Sequence, residues 1–553
     1  MSDKILIKNG NIMDGTGSPP FKADVLISGE YIEKIGSFEG ADAAKVIDAK
    51  ELVIAPGFID GHTHLDFFLP SRRHAEVLES WIRMGVTTLV AGNCGFSPAP
   101  INHDREKDLS IYWNFALPKD GLKYEWTIFK EYLDFLEKIG QNFNVAILVG
   151  HNTVRNNVMG FEARFANDTE LSEMKNQIRQ ALDEGAFGLS IGLGYVPGIY
   201  SHTDEILELS SILKEYNRPL VPHTRGLSNQ YHKAVEEVIN IAEKNEIKLH
   251  LSHHSSVNPS TVKKADKLIM QAKKRGVHIV GHDNIPYAAA CSTAFCGLPP
   301  KLLDGGIDKC LERLKDQKIR EKIIQDIKNI KITWPNWEND YWTDVFLKQT
   351  PLSKLLRVKL LMHGFKLEKN QKFENMPLKK IAKKLNKDYL NTFFDLIIEE
   401  HKGIFFSAVI AGGKIGDIVM AKAISDPYCS IITDHVGADY KTPHPVQYGA
   451  FTKVLGKFAR DKGYFTMEEA IRKMTSLPAS QMQLEKRGVL KEGNFADITI
   501  FNPKTVNSPA TFKNPHQFSQ GIENVIINGK IVLEKGIYYP KTLAGKVLRK
   551  HFK

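Results

Sequence analysis

The chain has 553 residues, of which 42% are hydrophobic and 25% charged, a soluble globular composition with room for one large domain and a smaller one. Its net charge of +10 is carried by lysines spread along helix faces, densest from Lys315 to Lys402, without interleaved aromatics, which reads as a solvated face rather than a nucleic-acid surface. No apolar run is long enough to cross a membrane and the N-terminal residues lack a signal peptide's apolar core, so a cytoplasmic location with no membrane partner is expected.

The first elements are short and alternating. Residues 5–12 are interrupted by Asn9-Gly10, a pair that predicts a two-residue hairpin turn, and further strands are expected at 23–28 and 31–35. The far end of the chain has the same texture, with strands at 496–501, 525–527 and 530–533 and a second such pair, Asn528-Gly529. Neither end has enough apolar surface to fold alone. Residues 1–54 and 485–553 are therefore expected to pack together as one small β-sandwich domain.

Between them the pattern becomes strand, helix, strand, helix. Strands are expected at 53–59, 86–90, 145–149, 187–190, 220–222, 249–252, 278–280 and 430–433, which predicts an α/β chain folded as a (β/α)8 barrel over residues 55–484. Val235, Val238, Ile239 and Ala242 recur at helical spacing. Ser201 with Asp204, and Thr466 with Glu469, have the spacing of capping boxes, and the second of these helices must stop before Pro478. The long gap before the eighth strand is helical and Lys-rich, and is expected to be an inserted lid-like subdomain at about 295–385.

Strand C-termini carry the active site of such barrels, and here they end in residues that bind metals or move protons. His62 and His64 lie one residue apart, so an extended strand points both to one side. Cys94 follows the second strand, His151 the third, His223 and Arg225 the fifth, His253 and His254 the sixth, and Asp434 and His435 the eighth. Zinc accepts imidazole nitrogen and thiolate sulfur, so Cys94, His223 and His253 are candidates for one metal, and His62 with His64 for a second sharing the thiolate. Asp434 is placed to shuttle a proton while metal-bound hydroxide attacks a carbonyl. Taken singly, each residue has a plainer reading. Cys94 could be a small buried apolar side chain, His151 could hydrogen-bond backbone, and His254, beside His253, must point the other way. The five cysteines (Cys94, Cys291, Cys296, Cys310, Cys429) are odd in number and without paired spacing, so no disulfide framework is expected.

The motifs Gly57-Phe-Ile-Asp-Gly-His-Thr-His64, Gly92-Asn-Cys-Gly-Phe-Ser-Pro-Ala-Pro100, Val149-Gly-His-Asn-Thr-Val-Arg155, Gly188 to Pro197, Leu251-Ser-His-His254, Pro286-Tyr287 and Arg487 to Gly493 resemble the N-acyl-D-amino-acid deacylase (D-aminoacylase) family of the amidohydrolase superfamily, over nearly the whole length. That resemblance implies zinc-dependent hydrolysis of a linear amide in a small-molecule substrate. It makes Cys94, His223 and His253 the tight site, His62 and His64 the weaker one, and Asp434 the acid/base. Tyr195, His151, Arg225 and Tyr287 are expected to meet the substrate. The family's bridging cysteine is present, and the fourth strand lacks the lysine that many amidohydrolases use instead. Two cations the family uses for a substrate carboxylate are replaced by Ser255 and Val446, leaving Arg225 or Lys441 as substitutes or a substrate without that carboxylate, and His435 stands where a glycine is usual. A cyclic-amide hydrolase of the dihydroorotase or hydantoinase kind, and a catalytically silent assembly protein, are the alternatives. The oligomeric state is left open.

Overall fold

The computed structural model describes residues 4–38, 42–256, 258–329, 359–409, 413–435 and 440–550. Its centre is a ring of parallel strands in two sheets. Three of them, Phe58–Asp60, Val86–Ala91 and Asn144–Ile147, form one sheet, and Val149–Gly150, Leu189–Gly192, Pro219–His223, Lys248–Leu251, Ile279–Asn284 and Cys429–Ile431 form the other. The third strand passes from one sheet to the other at Leu148, whose N–H donates to Ala91 while that of Val149 donates to Gly188. The remaining seam closes between strands one and eight, where Thr63 pairs with His435 and the Asp434 N–H donates to the His62 carbonyl at 3.0 Å. Below that seam the buried Asp60 carboxylate accepts from the Thr433 N–H and hydroxyl and from the Trp81 indole N–H. The result is the (β/α)8 barrel that the strand and helix alternation predicts. Its strands are buried at almost every position because helices cover the outside and side chains fill the inside.

One boundary differs from the sequence reading. The apolar run 53–59 is not one strand, since Val53–Pro56 pairs with Lys4–Ile12 and Ile498–Phe501 in the terminal sheet, and only Phe58–Asp60 joins the barrel. Gly57 is the switch between them. A Cβ there would lie 2.2 Å from the Thr87 hydroxyl, so the two sheets approach too closely for any side chain.

Both chain ends join in one nine-stranded sheet with its own core, in which Ile7, Ile12, Val25, Ile27 and Ile54 from one end meet Ile498, Ile500 and Ile526 from the other. The two Asn-Gly pairs behave differently. Asn528-Gly529 turns the hairpin between Ile522–Ile527 and Lys530–Glu534, with positive φ at both residues. Asn9 also has positive φ, but Lys4–Ile12 continues through it as a single strand, with a register shift against Phe21–Ser28 and the Asn9 N–H bonded to Asp24. The local conformation is as expected there, but its outcome is a bulge rather than a turn.

On the barrel's flank, helix Tyr231–Asn245 buries Val235, Val238, Ile239 and Ala242 as its spacing predicts, and Thr466 caps Met467–Met474. Helix Thr203–Ser210 is capped by His202 rather than Ser201, whose hydroxyl instead donates to Gly198 in the preceding turn.

The insertion before strand eight contains helices, including Ile307–Lys315, Gln317–Asn329 and Tyr389–Glu400, and also a four-stranded sheet of Ala289–Thr293, Phe405–Val409, Lys359–His363 and Met376–Pro377 that helical periodicity did not reveal. Part of the expected lid, 330–358, lies outside the described residues. Among the described residues no helix is long and apolar enough to cross a membrane.

Candidate metal centre

The exits of strands two, five and six place three donor atoms against one another. Cys94 Sγ is 3.5 Å from His223 Nδ1 and 3.5 Å from His253 Nε2, and these two nitrogens are 2.8 Å apart. On its other side the same sulfur lies 3.4 Å from His62 Nε2. Asp434 Oδ1 is 3.3 Å from His62 Nε2 and 3.3 Å from His64 Nε2. Two donor groups are thereby formed, Cys94 with His223 and His253, and Cys94 with His62, His64 and Asp434, and the thiol belongs to both.

The backbone is bent to achieve this. Cys94 (φ 52°), His253 (φ 33°) and Asp434 (φ 47°) all occupy the left-handed region, which costs a residue with a side chain on the order of 1–3 kcal/mol and persists only where the surroundings impose it. The Cys94 loop also needs its glycines: a Cβ on Gly92 would lie 2.1 Å from the Leu148 carbonyl oxygen. From strand four, Ser190 braces the loop by donating to the Gly92 carbonyl and accepting from the Gly95 N–H.

All five metal-type side chains are buried, while the Asp434 side chain keeps a quarter of its surface open. Burial pushes the Cys94 thiol up to about 11, and His62 acts against it. Burial likewise lowers His64, His223 and His253, whereas the nearby Asp283 and Asp434 raise His62 against its burial. Burial opposes the charged form of Asp434 too, but the surrounding His62, His64 and His253 hold its carboxyl well below the usual range.

A zinc ion fits this donor set. Tetrahedral ligands at ~2.3 Å for sulfur and ~2.0 Å for nitrogen stand about 3.5 Å apart, the separation seen from Cys94 to both imidazoles. The His223 to His253 distance is shorter than the roughly 3.3 Å of two such nitrogens, so these rings would part by about half an ångström.

The residues expected to meet the substrate divide. The Tyr195 ring stands 4.5 Å from that of His223, in an aromatic wall with Phe96 and Trp113, and Trp113 meets His64 edge-on. Tyr287 lies one ring further out, 5.6 Å from His444, with the Lys453 ammonium over its face. His151 and Arg225 are committed elsewhere. His151 Nε2 is 3.0 Å from Glu205, which also holds Arg155, and the Arg225 guanidinium is engaged by Glu237 and by the carbonyls of Ile199 and Ser201. Lys441 is exposed. His254 turns away from the centre to Tyr231 and Asp266, as its place beside His253 implies.

Sequence reasoning missed Asp283, whose buried carboxylate touches His62, His250 and the His253 backbone. The available signal was its position, since it sits at the end of strand seven, which runs to Asn284 rather than stopping at residue 280. Trp113 was missed too, because no strand precedes it.

A barrel whose strand exits converge on imidazoles, a thiol and a carboxylate defines a metal-dependent hydrolase scaffold. The amidohydrolase family model matches residues 45–288 and 428–533, leaving out the insertion. The chain belongs to the amidohydrolase family. It is 29% identical over 545 residues to the D-aminoacylase of Alcaligenes xylosoxydans xylosoxydans, covering 98% of this chain and 97% of that one. It is 28% identical to the N-acyl-D-glutamate deacylase of the same organism, over 99% and 96% of the two chains. Among solved structures it superposes on D-aminoacylase with a TM-score of 0.79 at 26% identity, covering 99% of this chain and 100% of that one. The N-acyl-D-glutamate deacylase of Bordetella bronchiseptica, solved with zinc and a phosphonate inhibitor, gives the same score and coverage at 25% identity.

Proposed function

We propose that this chain is a zinc-dependent hydrolase of linear amides that deacylates an N-acyl-D-amino acid or a related N-acyl compound. The observation that carries the reading is the sharing of Cys94 Sγ between two donor groups with Asp434 at their open side. Support comes from the similarity over almost the full length to a D-aminoacylase and to N-acyl-D-aspartate and N-acyl-D-glutamate deacylases.

Cys94, His223 and His253 would hold the tight zinc, and His62 with His64 the weaker one. Zinc supplies a lowered pKa for water, to about 7, and polarisation of a carbonyl. The chain's own residues do the rest. Asp434, ionised and partly open to the barrel mouth, takes the proton of the attacking water on its carboxylate and passes it to the leaving nitrogen, so one water and one amide become a carboxylic acid and an amine. The wall of Phe96, Trp113 and Tyr195 keeps bulk water from the reacting carbonyl. The cyclic-amide alternative loses ground because strand four, Leu189–Gly192, has no lysine and spends Ser190 on bracing the Cys94 loop.

The test is a substrate panel for the zinc-loaded chain: paired D and L N-acyl-amino acids, matching amides without a carboxylate, and cyclic amides. Cleavage of linear substrates with a D preference is expected. Turnover of cyclic amides alone would overturn the reading, and a folded preparation that retains no zinc and cleaves nothing would favour the silent alternative.

A further inference from the structure

Asp283 is the penultimate residue of the seventh barrel strand and is fully buried. Its two oxygens are divided between the two donor groups. Oδ1 accepts from the backbone N–H of His253 at 2.5 Å, while Oδ2 lies 3.3 Å from His62 Nδ1 and 2.9 Å from His250 Nε2. An ionised carboxylate only accepts, so the proton of the His62 ring must sit on Nδ1. In the neutral ring this puts the lone pair on Nε2, the atom facing Cys94 and Asp434. The bond from the His253 N–H has a separate consequence. His253 is one of the residues held in the left-handed region, and this contact fixes its peptide in the conformation that aims the ring at Cys94 and His223.

We infer that Asp283 is a positioning residue that sets both donor groups at once, through the ring of His62 in one and the backbone of His253 in the other. The inference rests on the zinc reading above. It gives strand seven, which contributes no donor to either group, a part in the centre: one carboxylate makes the two positions mechanically dependent on each other.

Asp283→Asn keeps the shape and removes one acceptor. With its amide nitrogen toward His62 and His250, the variant forces His62 to accept on Nδ1 and carry its proton on Nε2, and binding at the His62 and His64 position fails. With the amide turned over, the nitrogen opposes the His253 N–H and the Cys94, His223 and His253 position loosens instead.

Competitive zinc titration of metal-stripped wild type and Asp283→Asn, followed step by step, is the experiment. At least one binding step is expected to weaken ~10–100-fold, the usual effect of losing a carboxylate behind a metal-bound histidine. A purely structural role would lower the denaturation midpoint of the metal-free chain and leave the zinc constants of the folded protein untouched, and that result would overturn the inference. If wild type itself binds no zinc, the metal reading fails rather than the role of Asp283 alone. Should the variant not fold, neutron diffraction on zinc-loaded wild type decides. A proton on His62 Nδ1 directed at Asp283 is expected, and a ring ligating through Nδ1, or a proton on the carboxylate, would sink the proposal.

Discussion

Two buried polar clusters sit at neighbouring strand exits of the same barrel and are built from similar residues. In one, His151 and Arg155 converge on Glu205, and nearby Arg225 is matched by Glu237, so each cationic or proton-bearing group faces a carboxylate. In the other, Cys94, His62, His223 and His253 turn Lewis-base atoms toward one another at 2.8–3.5 Å. The first cluster sets cations against carboxylates, a charge network that ties helices to the barrel. The second gathers donor atoms of the kind that a divalent cation takes, around one shared thiol. A histidine after a barrel strand is thus not a ligand by position alone, since what decides is whether the atom opposite it is an acid or another base.

The sharpest way to break this contrast is to disable chemistry without disturbing the donor cluster. Asp434→Asn should keep zinc and lower turnover by at least ~10²–10⁴-fold, the usual contribution of general acid/base catalysis. Steady-state rates alongside metal analysis check it, and near-normal turnover would remove Asp434 from proton transfer. Cys94→Ala takes away the donor that both groups share, so zinc retained after exhaustive dialysis should fall toward none. Unchanged metal content would show that sulfur is not a ligand.

The paired cluster should answer in the opposite currency. Glu205→Ala leaves Arg155 buried without its carboxylate and should cost ~3–5 kcal/mol of stability, read by urea unfolding, while zinc content stays the same. A variant that loses zinc but not stability would erase the distinction between the clusters.

The smallest effect is pH-dependent and belongs to neither cluster. Burial lowers His282 to about 4, and the nearby His254 and His250 add to this against Asp426. The unfolded chain therefore binds a proton more readily than the folded one. The stability due to a neutral His282 is fully present above its ordinary value of about 6.5 and is lost as pH falls through 4, at most ~3 kcal/mol in all. Unfolding free energies between pH 7 and pH 4 should show this decline and show less of it in His282→Gln. Equal slopes for the two proteins would exclude His282 as the source.

The ring of donors was legible in the sequence because each member follows an apolar run, and a parallel barrel brings the ends of such runs together. That rule does not say where a side chain turns after the strand ends. His151 and Arg225 satisfied it as well as His223 did, yet helix-borne glutamates, Glu205 and Glu237, captured them. Asp283 escaped notice for the reverse reason, since the run of apolar residues stops before it while the strand continues. The insertion's four-stranded sheet was hidden for a related reason, because its short strands lie far apart in sequence between strong helices.

By itself the sequence determined the alternation of strands and helices, the union of the two chain ends and the residue types at the barrel mouth, because these depend on periodicity and composition within short windows. Only the tertiary structure decided that Gly57 parts one apolar run between two sheets, that Asn9 makes a bulge where Asn528 makes a hairpin, and which buried bases face one another. Each of those outcomes depends on an atom outside the local window, such as Asp24 beside Asn9, Thr87 against Gly57 and His253 facing Cys94, and local propensity carries no information about what packs against it.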